Sequence, residues 1–231
     1  MTTESDNPAS AADEISKRLS LLGTSNTENI RALRREYSKR LSKSPARFVI
    51  EVSLRLLNKS SDSHRFVAYE LVNQHRSALG SVAENDLKQF GDGIDSWGSV
   101  DMFGCFLSGP VWREHQVKDK LIHSWARSND RWWRRAALVS TVPLNSKARG
   151  GNGDTHRTLE VCELLVEDRD DMVVKALSWA LRELAKRDPG AVRGFLTRNR
   201  DRLAARVIRE VNNKLSTGLK NPRVRSTSAT K

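Results

Sequence analysis

Apolar residues recur at i, i+3 and i+4 along most of this chain. In VVKALSWALRELAK, residues 173–186, a step of about 100° per residue gathers Val174, Leu177, Leu181 and Leu184 into one stripe. The same spacing runs through SPARFVIEVSLRLLNK, SHRFVAYELVNQH, SVDMFGCFLSG, VKDKLIHSWARS, RWWRRAALVST and RTLEVCELLVED. Polar junctions such as NKSSDSH, FGDGIDS and LNSKARGGNGDTH separate these segments. No run of four to eight residues shows the alternation or β-branched enrichment of a strand, so the pattern predicts an all-α protein.

An acidic residue introduces several of the helices: Asp62, Asp95, Asp130 and Asp171, at intervals of 33, 35 and 41 residues. Acids suit helix starts because they face the positive end of the macrodipole. Helix pairs repeating at about 35–45 residues are the signature of an α-solenoid of HEAT-like pairs. Such a stack is expected to form one curved domain over residues 13–215, with a concave basic face open to a long ligand. Residues 1–12 and 216–231 lack periodicity and are expected to be a disordered N-terminal tail and a basic disordered C-terminal tail.

Charge narrows the choice of partner. Lys plus Arg number 40 against 28 for Asp plus Glu, a formal net charge of +12, which suits nucleic acid or an anionic membrane. Ten bases and two acids lie between Ala191 and Arg225, Arg206 and Arg209 among them. No apolar run approaches the roughly 18–20 residues of a membrane span, and the polar, acidic opening MTTESDNPASAADE is unlike a targeting peptide. Cys105 and Cys162 lie far apart within apolar helical patterns, as in a reducing compartment. A soluble cytoplasmic monomer is expected, associated with the nucleoid if the source is prokaryotic.

Familiar catalytic signatures are missing. ARGGNGDT has no G-K-[ST] ending and no preceding strand, so it reads as a flexible inter-repeat loop and not a phosphate loop. There is no G-x-S-x-G elbow, and the five histidines form no metal-ligand spacing. Neither a metal nor a cofactor is expected.

Three helices carry unusual side chains. In DSWGSVDMFGCFL, Val100, Phe103 and Leu107 form the core stripe, and Trp97 and Asp101 lie one turn apart on its flank. Ser96 or Asp95 can cap that helix. Taken alone, the pair reads more readily as a packed indole beside a cap-region or solvent-exposed carboxylate than as a functional pair. In NDRWWRRAALVST, Arg135 shares a face with Trp132 and Val139, while Arg134 points away. An arginine so placed either snorkels, or pairs with an acid, or offers paired donors to phosphate. Trp179 falls nearly opposite its helix's apolar stripe, with Lys175, Arg182 and Lys186 at i−4, i+3 and i+7. It either packs on a neighbouring repeat or meets a nucleic-acid backbone, sugar or base.

SWGSVD, RWWRRAAL and VVKALSWALRELAKRDPGAV, in this order and spacing, resemble the HEAT-like-repeat DNA glycosylases of the AlkD type, the DNA alkylation repair family. The resemblance runs from about Ser44 to about Leu215. It implies excision of N3- and N7-alkylated purines from double-stranded DNA without cofactor and without base flipping. It also implies that Trp97 and Asp101 supply an aromatic wall and the catalytic carboxylate, that Arg135 grips the DNA backbone, and that Trp179 forms a second wall. Lys175, Arg182, Lys186, Arg206 and Arg209 would add phosphate contacts. Two departures accompany it. The opening segment matches only the later part of the family's N-terminal segment, so no lesion-contacting aromatic is assigned there. Gly98 loosens the helical turn carrying Asp101, since glycine costs about 1 kcal/mol in a helix. The alternatives are a non-catalytic HEAT-repeat protein binding bent or branched DNA, and a protein-binding solenoid.

Overall fold

The computed structural model describes residues 7–22, 27–59 and 61–222, and among these there is no strand. The first helices are α1 (Pro8–Leu21), α2 (Thr27–Arg40), α3 (Ala46–Leu57) and α4 (Asp62–Gln74). Next come α5 (Arg76–Leu79), α6 (Glu84–Phe90), α7 (Trp97–Phe103), α8 (Gly109–Arg113) and α9 (Asp119–Ala126). The second half holds α10 (Arg131–Ser140), α11 (Val142–Asn145), α12 (Thr155–Leu164), α13 (Asp171–Leu184), α14 (Pro189–Arg198) and α15 (Ala205–Thr217).

One row of helices packs side by side in chain order: α2, α4, α7, α10, α13 and α15. Behind it, α3 packs on α4, α9 on α10, and α12 and α14 on α13. Each helix therefore meets mainly its neighbours in sequence, the connectivity of a helical solenoid. Side chains repeat the register from pair to pair. Arg134 reaches Asp168 thirty-four residues on, Ser178 reaches Glu210 at thirty-two, and Arg206 reaches back to Asp171 at thirty-five.

Capping follows the residue types. Asp130 and Asp170 accept from Trp132 and Met172 N–H groups at the starts of α10 and α13, and Ser96 Oγ accepts from Ser99 N–H at the start of α7. The stripes read from the sequence are buried: Val100, Phe103 and Leu107 in the first, and Val174, Leu177, Leu181 and Leu184 in the last.

Two boundaries differ from expectation, as does one junction. Asn7 caps a helix that opens on Pro8, and Ala11 and Ala12 are buried, so residues 8–12 belong to the folded domain and not to a disordered tail. Helix α15 continues to Thr217, two residues into the expected C-terminal tail, before Gly218 turns left-handed at φ 74°. Residues 1–6 and 223–231 of the two expected tails lie outside the described residues. The glycine-rich junction is pinned and not loose. Gly151 and Gly153 N–H groups donate to Ser146 and Leu144 carbonyls, and Arg187 donates to the Asn145 and Gly151 carbonyls.

The helix begun by α7 runs on to Arg113 through one widened turn, Gly104–Ser108, in which Gly109 N–H reaches the Gly104 carbonyl five residues back. Pro110 contributes no N–H to the ladder, and the wider turn accommodates it. The glycines here permit close approach to α10 and α11. A Cβ on Gly104 would stand 2.6 Å from Val139 Cγ1, and one on Gly109 would stand 2.7 Å from Pro143 Cγ. Buried Ser108 and Ser140 hydroxyls meet at 2.6 Å across the same contact. Gly104→Ala is therefore expected to lower stability by about 1–3 kcal/mol through overpacking. Urea unfolding should show a lower midpoint at unchanged slope, with partial recovery when Val139→Ala is added.

Candidate active site

Residue Trp97 occupies the first position of α7 and is 62% exposed, the most open aromatic among the described residues. One turn on, Asp101 turns toward α10. Both of its carboxylate oxygens accept from Arg135, Oδ1 from Nε and Oδ2 from a terminal nitrogen, each at 2.9 Å. The other terminal nitrogen of Arg135 donates to the Met172 carbonyl of α13 at 2.5 Å. One guanidinium thus ties three successive helices of the row.

This placement changes the expected part for Arg135. The family resemblance implies that it grips the DNA backbone, and the residue pattern also allowed an acid partner; in the structure every nitrogen of its guanidinium is engaged inside the protein and the residue is only 6% exposed. Its geometry is that of a holder for Asp101, because the bidentate fork fixes both position and plane of the carboxylate. The Asp101 side chain is 21% exposed. Burial pushes its carboxyl above the usual aspartate range, and the Arg135 hydrogen bonds oppose the shift without cancelling it.

Trp179 is half-buried and packs against the core, not fully on a wet face. Helix α13 lies between α10 and α15, so Val173, Ala176 and Ala180 are buried in addition to the expected stripe, leaving a narrow open strip. Along that strip lie Lys175, Trp179, Arg182 and Lys186, as the helical projection requires. Each of the cations has a protein partner. Lys175 pairs with Asp171 at 2.5 Å, and Arg206 of α15 meets the same carboxylate at 2.8 Å. Arg182 donates to Ser178 Oγ at 3.2 Å and lies 4.0 Å from Glu210, while Lys186 holds Glu183 at 2.7 Å. Burial lowers the Arg182 guanidinium pKa below its ordinary value. Arg209 is exposed, with no ion pair among the described residues.

Two participants were missed in the sequence. The Met172 carbonyl is a backbone acceptor and carries no residue-type signal. Asp171, read only as a helix starter, is the hub for Lys175 and Arg206; its position four residues before Lys175 was the available clue. No group of three metal-ligating side chains is found among the described residues. Both cysteines are buried, and burial pushes the Cys105 thiol up to about 12 and the Cys162 thiol higher still, which leaves neither as a thiolate nucleophile.

A row of stacked helix pairs with a clamped aspartate one turn from an open tryptophan defines an all-helical repeat protein. The chain belongs to the DNA alkylation repair enzyme family, whose model matches residues 7–215. Membership supports a role in DNA repair, with DNA as the partner. No curated protein and no solved structure matches the chain. No helix among the described residues is long and apolar enough to cross a membrane.

Removing the fork strands a buried carboxylate, so Arg135→Met is expected to cost about 3–5 kcal/mol at neutral pH. Because folding raises the Asp101 pKa, the stability linked to it is present at low pH and is lost as pH rises through the raised pKa. The deficit of the variant should therefore shrink as pH falls toward and below the aspartate range. Urea unfolding of wild type and variant across pH 3–8 measures this, and adding Asp101→Asn should recover part of the loss at neutral pH.

Proposed function

We propose that this protein is a monofunctional DNA glycosylase that hydrolyses the N-glycosidic bond of N3- or N7-alkylated purines in duplex DNA, without flipping the base. The observation that carries the reading is the Asp101 carboxylate, oriented by Arg135 one turn from the exposed Trp97, in a chain of the DNA alkylation repair family. Alkylation at N3 or N7 makes the purine cationic and a good leaving group. As the bond to it breaks, the deoxyribose gains oxocarbenium character, and a fixed carboxylate stabilises that charge in a partly dry site. Trp97 and Trp179 offer π faces to the cationic sugar and base, each worth about 0.5–2 kcal/mol. Arg209 and the remaining cations of the row supply salt-sensitive phosphate contacts. Water completes the hydrolysis, and no lysine nucleophile is required.

A second reading also has an observation in its favour. Both oxygens of Asp101 are occupied by Arg135, as in a structural tie between repeats, and a non-catalytic protein binding bent or branched DNA would use the pair in that way. Incubation with duplex DNA containing 7-methylguanine separates the two. Free base should appear with wild type, and Asp101→Asn should slow its release by ~100-fold or more. Equal release by both proteins sinks the assignment of Asp101. No release, with tight binding to junctions, favours the second reading.

A further inference from the structure

On the same row of helices, toward its N-terminal end, four side chains form a ladder that the proposed chemistry does not use. The Arg31 guanidinium of α2 lies over the Phe66 ring of α4 at 6.0 Å. Phe66 meets Phe106 edge to face, with centroids 5.9 Å apart. Arg149, from the pinned junction after α11, lies over the Phe106 ring at 4.9 Å. The two phenyl rings are half-buried. Neither arginine has an acidic partner within 4 Å among the described residues, unlike Lys175, Lys186, Arg202 and Arg206.

Phe106 stands one widened turn beyond Asp101 on the same helix. An arginine stacked on a ring is held flat with its N–H edges outward, ready for a phosphate oxygen, at little cost in side-chain freedom. Each ring has a guanidinium over it and meets the other edge to face, so two cations stand at the ends of a half-buried aromatic pair.

We infer that Arg31 and Arg149, held by Phe66 and Phe106, form a phosphate-tracking surface that binds the DNA backbone beside the Asp101 site. This rests on the proposed function only in taking duplex DNA as the ligand. The test is the affinity of the full chain for an undamaged duplex, by fluorescence anisotropy between 50 and 200 mM salt. Arg31→Ser and Arg149→Ser should each weaken binding and reduce the slope of log affinity against log salt by about one. Lys88→Ser, a surface cation on α6 paired with Glu84, should leave the slope unchanged. Arg31→Lys and Arg149→Lys should keep the slope and still bind several-fold more weakly, since a lysine keeps the charge and loses the stacked fork. Melting temperatures identify any variant whose loss is one of folding, and the lysine variants then carry the test.

Unchanged affinity and slope in both serine variants would overturn the inference, and full affinity in the lysine variants would remove the part played by the rings. Base release from alkylated DNA is read separately. A protein that releases no base yet loses slope in the serine variants sinks the glycosylase reading and keeps the ladder. A protein that releases base with an unaltered slope sinks the ladder alone.

Discussion

The contact between Asp101 and Arg135 is the constraint on which the rest of the structure turns. Taking a carboxylate and a guanidinium out of water costs several kcal/mol per ion, and the pair recovers this only with near-ideal geometry. That geometry is supplied by backbones. Gly104 and Gly109 let the helix from α7 approach α10 and α11 without a Cβ between them, and the Ser108–Ser140 hydrogen bond fixes the sliding register. The Met172 carbonyl then satisfies the outer nitrogen of the fork. An error of one helical turn at either contact would leave a buried charge unpaired, so the ion pair selects one stacking of three repeats.

Charge elsewhere obeys a different rule. A formal charge of +12 suggests a uniformly basic protein, yet many of its cations are matched by acids about one repeat away or within one helical turn. Most of these pairs are exposed and contribute little to stability. Their effect is to remove fixed positive charge from parts of the surface and leave it on others. Arg31, Arg149 and Arg209 are among the cations without an acidic partner among the described residues, and at such positions a polyanion meets little competition from the protein's own carboxylates.

Much of the fold was legible because periodicity and caps are local. The stripes of α7 and α13, the serine cap before Trp97 and the aspartate cap of α10 all depend on residues within two turns; at α13 the cap is Asp170, one residue before the expected Asp171. What failed depends on neighbours distant in sequence. The choice for Trp179 between packing and exposure stayed open because the projection counted one apolar stripe, whereas α10 and α15 cover α13 from two sides and leave the indole half-buried. Arg135 looked available for phosphate because its partner lies thirty-four residues away. The junction at 146–153 looked flexible by composition, and Arg187, thirty-six residues beyond Gly151, pins it. The start of α1 was missed because Asn7 and Pro8 resemble a polar tail, although Asn followed by Pro is also a helix-opening signal. Of the site, Trp97 and Asp101 were placed on one flank by helical spacing and given roles only by the family resemblance; the orientation of Arg135 was not legible.

A carboxylate tied at both oxygens is a weaker proton acceptor than the same carboxylate left unpaired in the same place, since accepting a proton means giving up one of two charge-assisted bonds. It is a good fixed charge, because it does not reorient when positive charge develops nearby. The reaction proposed for this protein asks for the second property more than the first. A cationic purine leaves without needing a proton, and the sugar it leaves behind is electrophilic enough to capture water with little help. The clamp that weakens Asp101 as a base is thus compatible with its acting as a counter-charge. Burial raises its pKa while Arg135 restrains the rise, and the balance between them sets how acidic a solution can become before that counter-charge is lost.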